Sequence, residues 1–78
     1  MENKIGIIGL GYVGLPLARL FSTKYKTIGF DINEKRVEML MKGIDDTLEV
    51  SSNLLMKAIE DGMICTSDIS KILIATFI

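Results

Sequence analysis

Apolar residues fall along this chain in two rhythms. Lys4 to Ile8 is short, apolar and β-branched and ends at a glycine turn, as a buried strand does. From about Tyr12 to Lys24 the apolar positions Val13, Leu17, Leu20 and Phe21 recur at helical spacing, with Arg19, Ser22 and Lys24 between them. Pro16 sits near the first turn, where few helical hydrogen bonds are lost. Thr27 to Phe30 reads as a second buried strand ending at Asp31. Asn33 then caps a second helix, which has Val37, Leu40 and Met41 on its inner face and Gly43 as its stop.

The stretch "IDDTLEVSS" is polar and turn-like. After it, Ser52 or Asn53 caps a shorter helix through Leu54, Leu55, Ala58 and Ile59, closed by Gly62. Met63 to Thr66 reads as a third strand, Asp68 to Lys71 as a turn or single helical turn, and "ILIATFI" as a last apolar strand. The succession β-α-β-α-α-β-β predicts a parallel sheet of the doubly wound α/β class.

Composition narrows the chemistry. The 78 residues suit one small domain or part of a larger one, with 49% hydrophobic and 24% charged residues. Nine basic and ten acidic side chains leave a net charge of −1, so nothing points to nucleic acid. There is no histidine, the commonest general base and metal ligand. Cys65 stands alone, which fits a reducing compartment, and no metal-ligand cluster surrounds it. With no signal-peptide pattern and no membrane-length apolar run, the expectation is a cytoplasmic protein with no membrane partner.

Three glycines within six residues raise the functional question. Gly9-Leu10-Gly11-Tyr12-Val13-Gly14 matches G-x-G-x-x-G after a strand and at the opening of a helix, the Rossmann context for a dinucleotide. Gly9 permits the tight turn, Gly11 leaves room for a pyrophosphate, and Gly14 lets the helix pack closely on the sheet. The N–H groups and the positive helix end attract phosphate. Asp31 lies at the end of the second strand, about 20 residues on, where a carboxylate accepts from an adenosine ribose and repels a ribose phosphate. NAD is therefore expected over NADP. Arg36 could serve a 2′-phosphate, but its helical position more simply suggests a surface charge or stacking near the adenine. Cys65 reads as a core thiol, Asp45 and Asp46 as solvated loop acids that do not converge on one substrate atom, and the five methionines mostly as core filler.

"KIGIIGLGYVGLPLA" followed by "TIGFDINEKRVE" resembles the N-terminus of the UDP-glucose/GDP-mannose dehydrogenase family. "KGIDDTLEVSS" and "CTSDIS" resemble its branch acting on UDP-N-acetylhexosamines. The resemblance spans roughly Lys4 to Ile72. It implies NAD as cofactor, with Gly9, Gly11, Tyr12, Val13 and Gly14 at the pyrophosphate, Asp31 at the ribose, and Arg36 and Thr66 as weaker candidates. It also implies two oxidations of the sugar C6 alcohol through a thioester on a cysteine, for polysaccharide precursors. Cys65 does not match that cysteine's motif, and no residue here is assigned a catalytic role.

The expectation is thus an incomplete Rossmann-type sheet of about four strands in the order 3-2-1-4 with two to three helices. Residues 1–78 would be the N-terminal part of a dinucleotide-binding domain, without substrate and catalytic domains. "ILIATFI" departs from the family's fourth strand, so a truncated or frameshifted reading frame is expected, decided by the gene's nucleotides past codon 72. Three readings stand side by side: the NAD-binding start of a nucleotide-sugar dehydrogenase, inactive alone; a stand-alone dinucleotide-binding module; and a non-binding remnant. With helices on one face of a sheet apolar on both, self-association, most simply as a homodimer, is expected as well.

Overall fold

The computed structural model describes residues 4–72 and the backbone of Thr76–Phe77. Lys4–Ile8 (β1) leads through the glycine turn into helix Gly14–Phe21 (α1), then Lys26–Phe30 (β2), Glu34–Met41 (α2), Ser52–Glu60 (α3) and Ile64–Thr66 (β3). A single 3-10 turn, Ile69–Lys71, follows. β1 pairs parallel with β2, and β2 with β3, in a Rossmann-like arrangement. Thr76–Phe77 (β4) lies parallel to β1 on its other side, against Ile5 and Gly6. The rest of the expected last strand, residues 73–75 and Ile78, lies outside the described residues.

Register decides which side chains meet. Residues paired across parallel strands share a face, so Ile7, Gly29 and Cys65 lie together on the face that also carries Ile5. One core cluster joins Ile5, Ile7 and Cys65 to Leu15 and Ala18 of α1, Val37 and Leu40 of α2, and Leu55 and Ala58 of α3. All three helices therefore cover one side of the sheet. Leu10, Leu15, Leu40 and Leu55 are completely buried, each contributing roughly 1.5–3 kcal/mol of apolar burial. On the opposite face Ile28 is 7% exposed, while Ile8 and Ile64 are 57% and 50% exposed. The bare apolar area there is smaller than a fully uncovered sheet would present.

Local chemistry sets the helix ends. Asn33 Oδ1 accepts from the Arg36 N–H at the start of α2, as its position before Glu34 predicts. For α3 the cap is Ser51, just before the expected Ser52 or Asn53, accepting from the Leu54 N–H. Gly43 and Gly62 follow α2 and α3 with φ of +84° and +106°, the left-handed turn that stops a helix.

α1 departs further from expectation. It ends at Phe21 rather than Lys24, where the hydroxyls of Ser22 and Thr23 donate to the carbonyls of Arg19 and Leu20. Its buried residues are Leu15 and Ala18, while Val13 and Leu20 point to solvent. Gly14, Ala18 and Phe21 fall one and two turns apart. The face that Gly14 lays on β1 is the one they continue, so Val13 and Leu20 are turned away. Met41, expected on the inner face of α2, is 39% exposed, and its sulfur accepts the Cys65 N–H.

Candidate functional site

β1 stops at Ile8 because the next residue turns. Gly9 has φ of +92°, a conformation that a side chain makes costly, and its N–H reaches the Phe30 carbonyl at 2.7 Å. Leu10 then drives inward. A β-carbon on Gly29 would sit 2.6–3.3 Å from three of the Leu10 side-chain carbons, so the bare backbone of β2 is the floor on which Leu10 rests. Neither role was read from the sequence, although an apolar residue between two glycines, opposite a glycine in the neighbouring strand, is the signal that carries it.

Both ends of Leu10 are held by side chains from later in the chain. Its N–H donates to Asp31 Oδ2 at 3.0 Å. Its carbonyl accepts from Arg36 Nε at 3.0 Å and Nη2 at 2.7 Å. Asp31 Oδ1 meanwhile accepts from the Asn33 N–H, tying the carboxylate to the start of α2. Gly14 closes the loop on itself. A β-carbon there would lie 1.7 Å from the Gly9 carbonyl oxygen.

This leaves a row of donors without acceptors. The N–H groups of Gly11, Tyr12 and Val13 make no hydrogen bond among the described residues. α1 has no side-chain cap, whereas α2, α3 and the 3-10 turn are capped by Asn33, Ser51 and Asp68. Around Gly11 nothing lies within 4 Å of where a β-carbon would project. Beside this opening is a shallow cleft of about 300 Å³ lined by Ile8, Gly9, Phe30, Asp31 and Ile32. Ile32 of this cleft is 85% exposed, and in the glycine loop Tyr12 and Val13 are 68% and 78% exposed. Thr66 ends β3 on the same edge; its carbonyl accepts the Asp31 N–H and its hydroxyl accepts the Asp68 N–H. Unpaired N–H groups facing open space, next to a partly exposed carboxylate, fit an anionic ligand that also carries hydroxyls.

Arg36 is where the structure corrects the sequence most. Expected as a surface charge or a group stacking near an adenine, it is 8% exposed. Besides gripping Leu10, its Nη1 donates to Asp45 Oδ1 at 2.8 Å and to Asp46 Oδ1. The two adjacent acids, both expected to be solvated, accept from the same nitrogen. Asp46 remains exposed, but Asp45 is buried. Burial opposes ionisation of Asp45. The Thr47 hydroxyl, the Val50 N–H, Arg36 and the Thr47 N–H outweigh that and hold its carboxyl well below the usual carboxylate range. The loop 44–50 is therefore built around one buried carboxylate, which also accepts from the Glu49 N–H.

Cys65 is 6% exposed in the core cluster, as expected of a structural thiol. Burial pushes its thiol up to about 11, against a smaller opposing pull from Arg36, so little nucleophilic thiolate forms at neutral pH. Among the described residues no group of three or more His, Cys, Asp or Glu side chains could hold a metal ion.

Comparison with known proteins agrees with this geometry. The model of the UDP-glucose/GDP-mannose dehydrogenase family, NAD binding domain, matches residues 3–76. The chain is 53% identical over 59 residues to UDP-N-acetyl-D-glucosamine 6-dehydrogenase of Pseudomonas aeruginosa, covering 76% of this chain and 14% of that one. It is 44% identical over 62 residues to UDP-N-acetyl-D-mannosamine dehydrogenase of Campylobacter jejuni, covering 77% and 15%. Among solved structures, a UDP-D-ManNAc dehydrogenase from Pyrococcus horikoshii superposes with a TM-score of 0.88 at 26% identity, over 95% of this chain and 19% of that one. The chain thus spans less than a fifth of the length of these relatives. With the glycine loop, the parallel sheet and the family match in agreement, the chain belongs to the UDP-glucose/GDP-mannose dehydrogenase family, within its NAD-binding domain.

Proposed function

We propose that this chain holds NAD across the C-terminal edge of its sheet, in the service of oxidising a UDP-N-acetylhexosamine at C6. The observation that carries the reading is the row of unpaired N–H groups opening beside Asp31. In it the N–H groups of Gly11, Tyr12 and Val13 receive the pyrophosphate, and Gly9 and Gly14 give the loop its shape. Asp31 accepts from the adenosine ribose. Each of its oxygens takes one backbone N–H, and a carboxylate has about four acceptor positions, so room remains for hydroxyl donors. Thr66 borders the same edge, and Arg36 acts from behind the loop. NAD supplies the hydride acceptor; this chain's residues bind and orient it.

The sugar class follows from the relatives' names. The described residues offer no reacting group for the oxidation, Cys65 being buried and poorly ionised, so binding without turnover is the activity expected of this chain alone. A cytoplasmic setting, where NAD and nucleotide sugars meet, belongs to the same reading. No helix among the described residues is long and apolar enough to cross a membrane.

Calorimetric titration tests it. NAD binds more tightly than NADP, because Asp31 accepts from a free hydroxyl and repels a phosphate. Gly11→Val abolishes NAD binding yet leaves thermal unfolding close to wild type, since its β-carbon meets nothing within 4 Å. Equal NAD affinity in that variant, or a wild-type preference for NADP, overturns the reading. Self-association through Ile8 and Ile64 on the helix-free face accompanies this proposal, with a second copy as the occupant. A sedimenting species of monomer mass at micromolar concentration sinks that part alone.

A further inference from the structure

A trans peptide points its carbonyl and its N–H in opposite directions, and no peptide among the described residues is cis. The Leu10–Gly11 peptide has its carbonyl gripped by two nitrogens of one guanidinium, Arg36 Nε and Nη2. The other end of that peptide is the Gly11 N–H, which donates to nothing among the described residues and belongs to the residue with open space around it. Holding the carbonyl inward therefore holds this N–H outward.

We infer that Arg36 is a positioning residue for the pyrophosphate, aiming the Gly11 N–H through the Leu10 carbonyl while Asp45 and Asp46 fix the guanidinium. The inference rests on the NAD reading above. Its physical need comes from Gly11 itself. A residue without a β-carbon is required where a phosphate must approach, and the same lack makes rotation of the preceding peptide easy. A rotated peptide would present a carbonyl oxygen to an anion and repel it. The planar fork of Arg36 blocks that rotation, because two nitrogens converge on one oxygen while Nη1 is anchored on the acids of the loop 44–50. Direct contact with the ligand is a different role, and the burial of Arg36 and its commitment to Leu10, Asp45 and Asp46 argue against it.

The test is Arg36→Lys, which keeps the positive charge beside the acids and loses the fork. NAD affinity by calorimetry falls about tenfold or more, and the Gly11 amide, followed by 15N relaxation in the free protein, becomes mobile. Binding of adenosine, followed at the Asp31 amide, is unchanged. The proposal is overturned if NAD affinity and the Gly11 amide both stay as in wild type. It is equally overturned if affinity falls while that amide is undisturbed, since Arg36 then touches the ligand itself. A wild-type chain that binds no NAD defeats the cofactor reading, and the Gly11 amide still decides the positioning role. If Arg36→Lys fails to fold, Asp46→Ala replaces it; the Asp46 side chain is 59% exposed, so its loss loosens the guanidinium without opening the core. A disturbed Gly11 amide there supports the proposal, and an undisturbed one overturns it.

Discussion

Gly14→Ala is expected to cost the fold roughly 3 kcal/mol or more, a large share of its stability. The added β-carbon falls 1.7 Å from the carbonyl oxygen of Gly9 and 2.8 Å from its carbon, both backbone atoms. No side chain can rotate out of the way. Relief requires the turn after β1 to move, and that turn is tied to Phe30, Asp31 and Arg36 through Gly9 and Leu10. Overpacking costs roughly 1–3 kcal/mol where neighbours can yield, and here they cannot, so the loss lies at the top of that range or beyond. A chain of this length has a total stability of about 4–12 kcal/mol. Urea unfolding followed by circular dichroism measures the effect. A midpoint close to wild type would mean that the loop and α1 are free to separate. The contrast with Gly11→Val, harmless to folding and fatal to binding, separates two glycines that a motif treats alike.

Asp45→Ala carries the second large effect. The substitution strips the Arg36 guanidinium of its buried partner and leaves the N–H groups of Thr47, Glu49 and Val50 without their acceptor. Breaking a buried pair costs about 3–5 kcal/mol, with Asp46 supplying partial compensation.

Acid makes the same change reversibly. Because the folded state holds the Asp45 carboxyl below its usual range, the stabilisation is complete above the unfolded value near 3.9. It is lost as pH falls further toward the folded value. Wild-type stability in urea should therefore hold steady from pH 7 to about 5 and decline below about 4, and Asp45→Asn should flatten that decline. Asp68 is also lowered, by the Ser70 hydroxyl and N–H, but it is fully exposed and belongs to a short surface turn. An Asp45→Asn profile that keeps the full wild-type slope would move the acid sensitivity elsewhere.

What the sequence made legible was whatever chemistry is local. The strand before the glycines, the Asn33 cap, the stops at Gly43 and Gly62 and the burial of Cys65 each depend on a few neighbouring residues, and each was readable from them. The exposed face of the glycine loop was readable for the same reason, since the positive φ at Gly9 and the open space at Gly11 follow from the glycine spacing. Its buried side was not. Arg36 and Asp45 sit nine residues apart across a loop whose closure places Leu48 at φ of +59°, a conformation no side-chain pattern announces. A run of acids in a polar stretch looks solvated until the arginine that faces it is known. α1 was misjudged because its rotation is set by the backbone of Gly14 lying against the Gly9 carbonyl, a contact that its own apolar spacing does not report.

Asp31 couples two properties that a designer would want to vary separately. The carboxylate proposed to accept from the cofactor's ribose also anchors the Leu10 N–H, and through Asn33 the entrance to α2. A lineage drifting toward a phosphorylated ribose gains by discarding that negative charge. If it discards the oxygens as well, a largely buried donor loses its acceptor, at roughly 1–3 kcal/mol. The accessible routes are those that keep a neutral oxygen at position 31 while a cation is recruited nearby. Arg36 is not free to be that cation without releasing Leu10. On the proposed reading, cofactor preference in this scaffold is conservative for mechanical reasons, since the carboxylate assigned to the ribose is also a rivet of the loop.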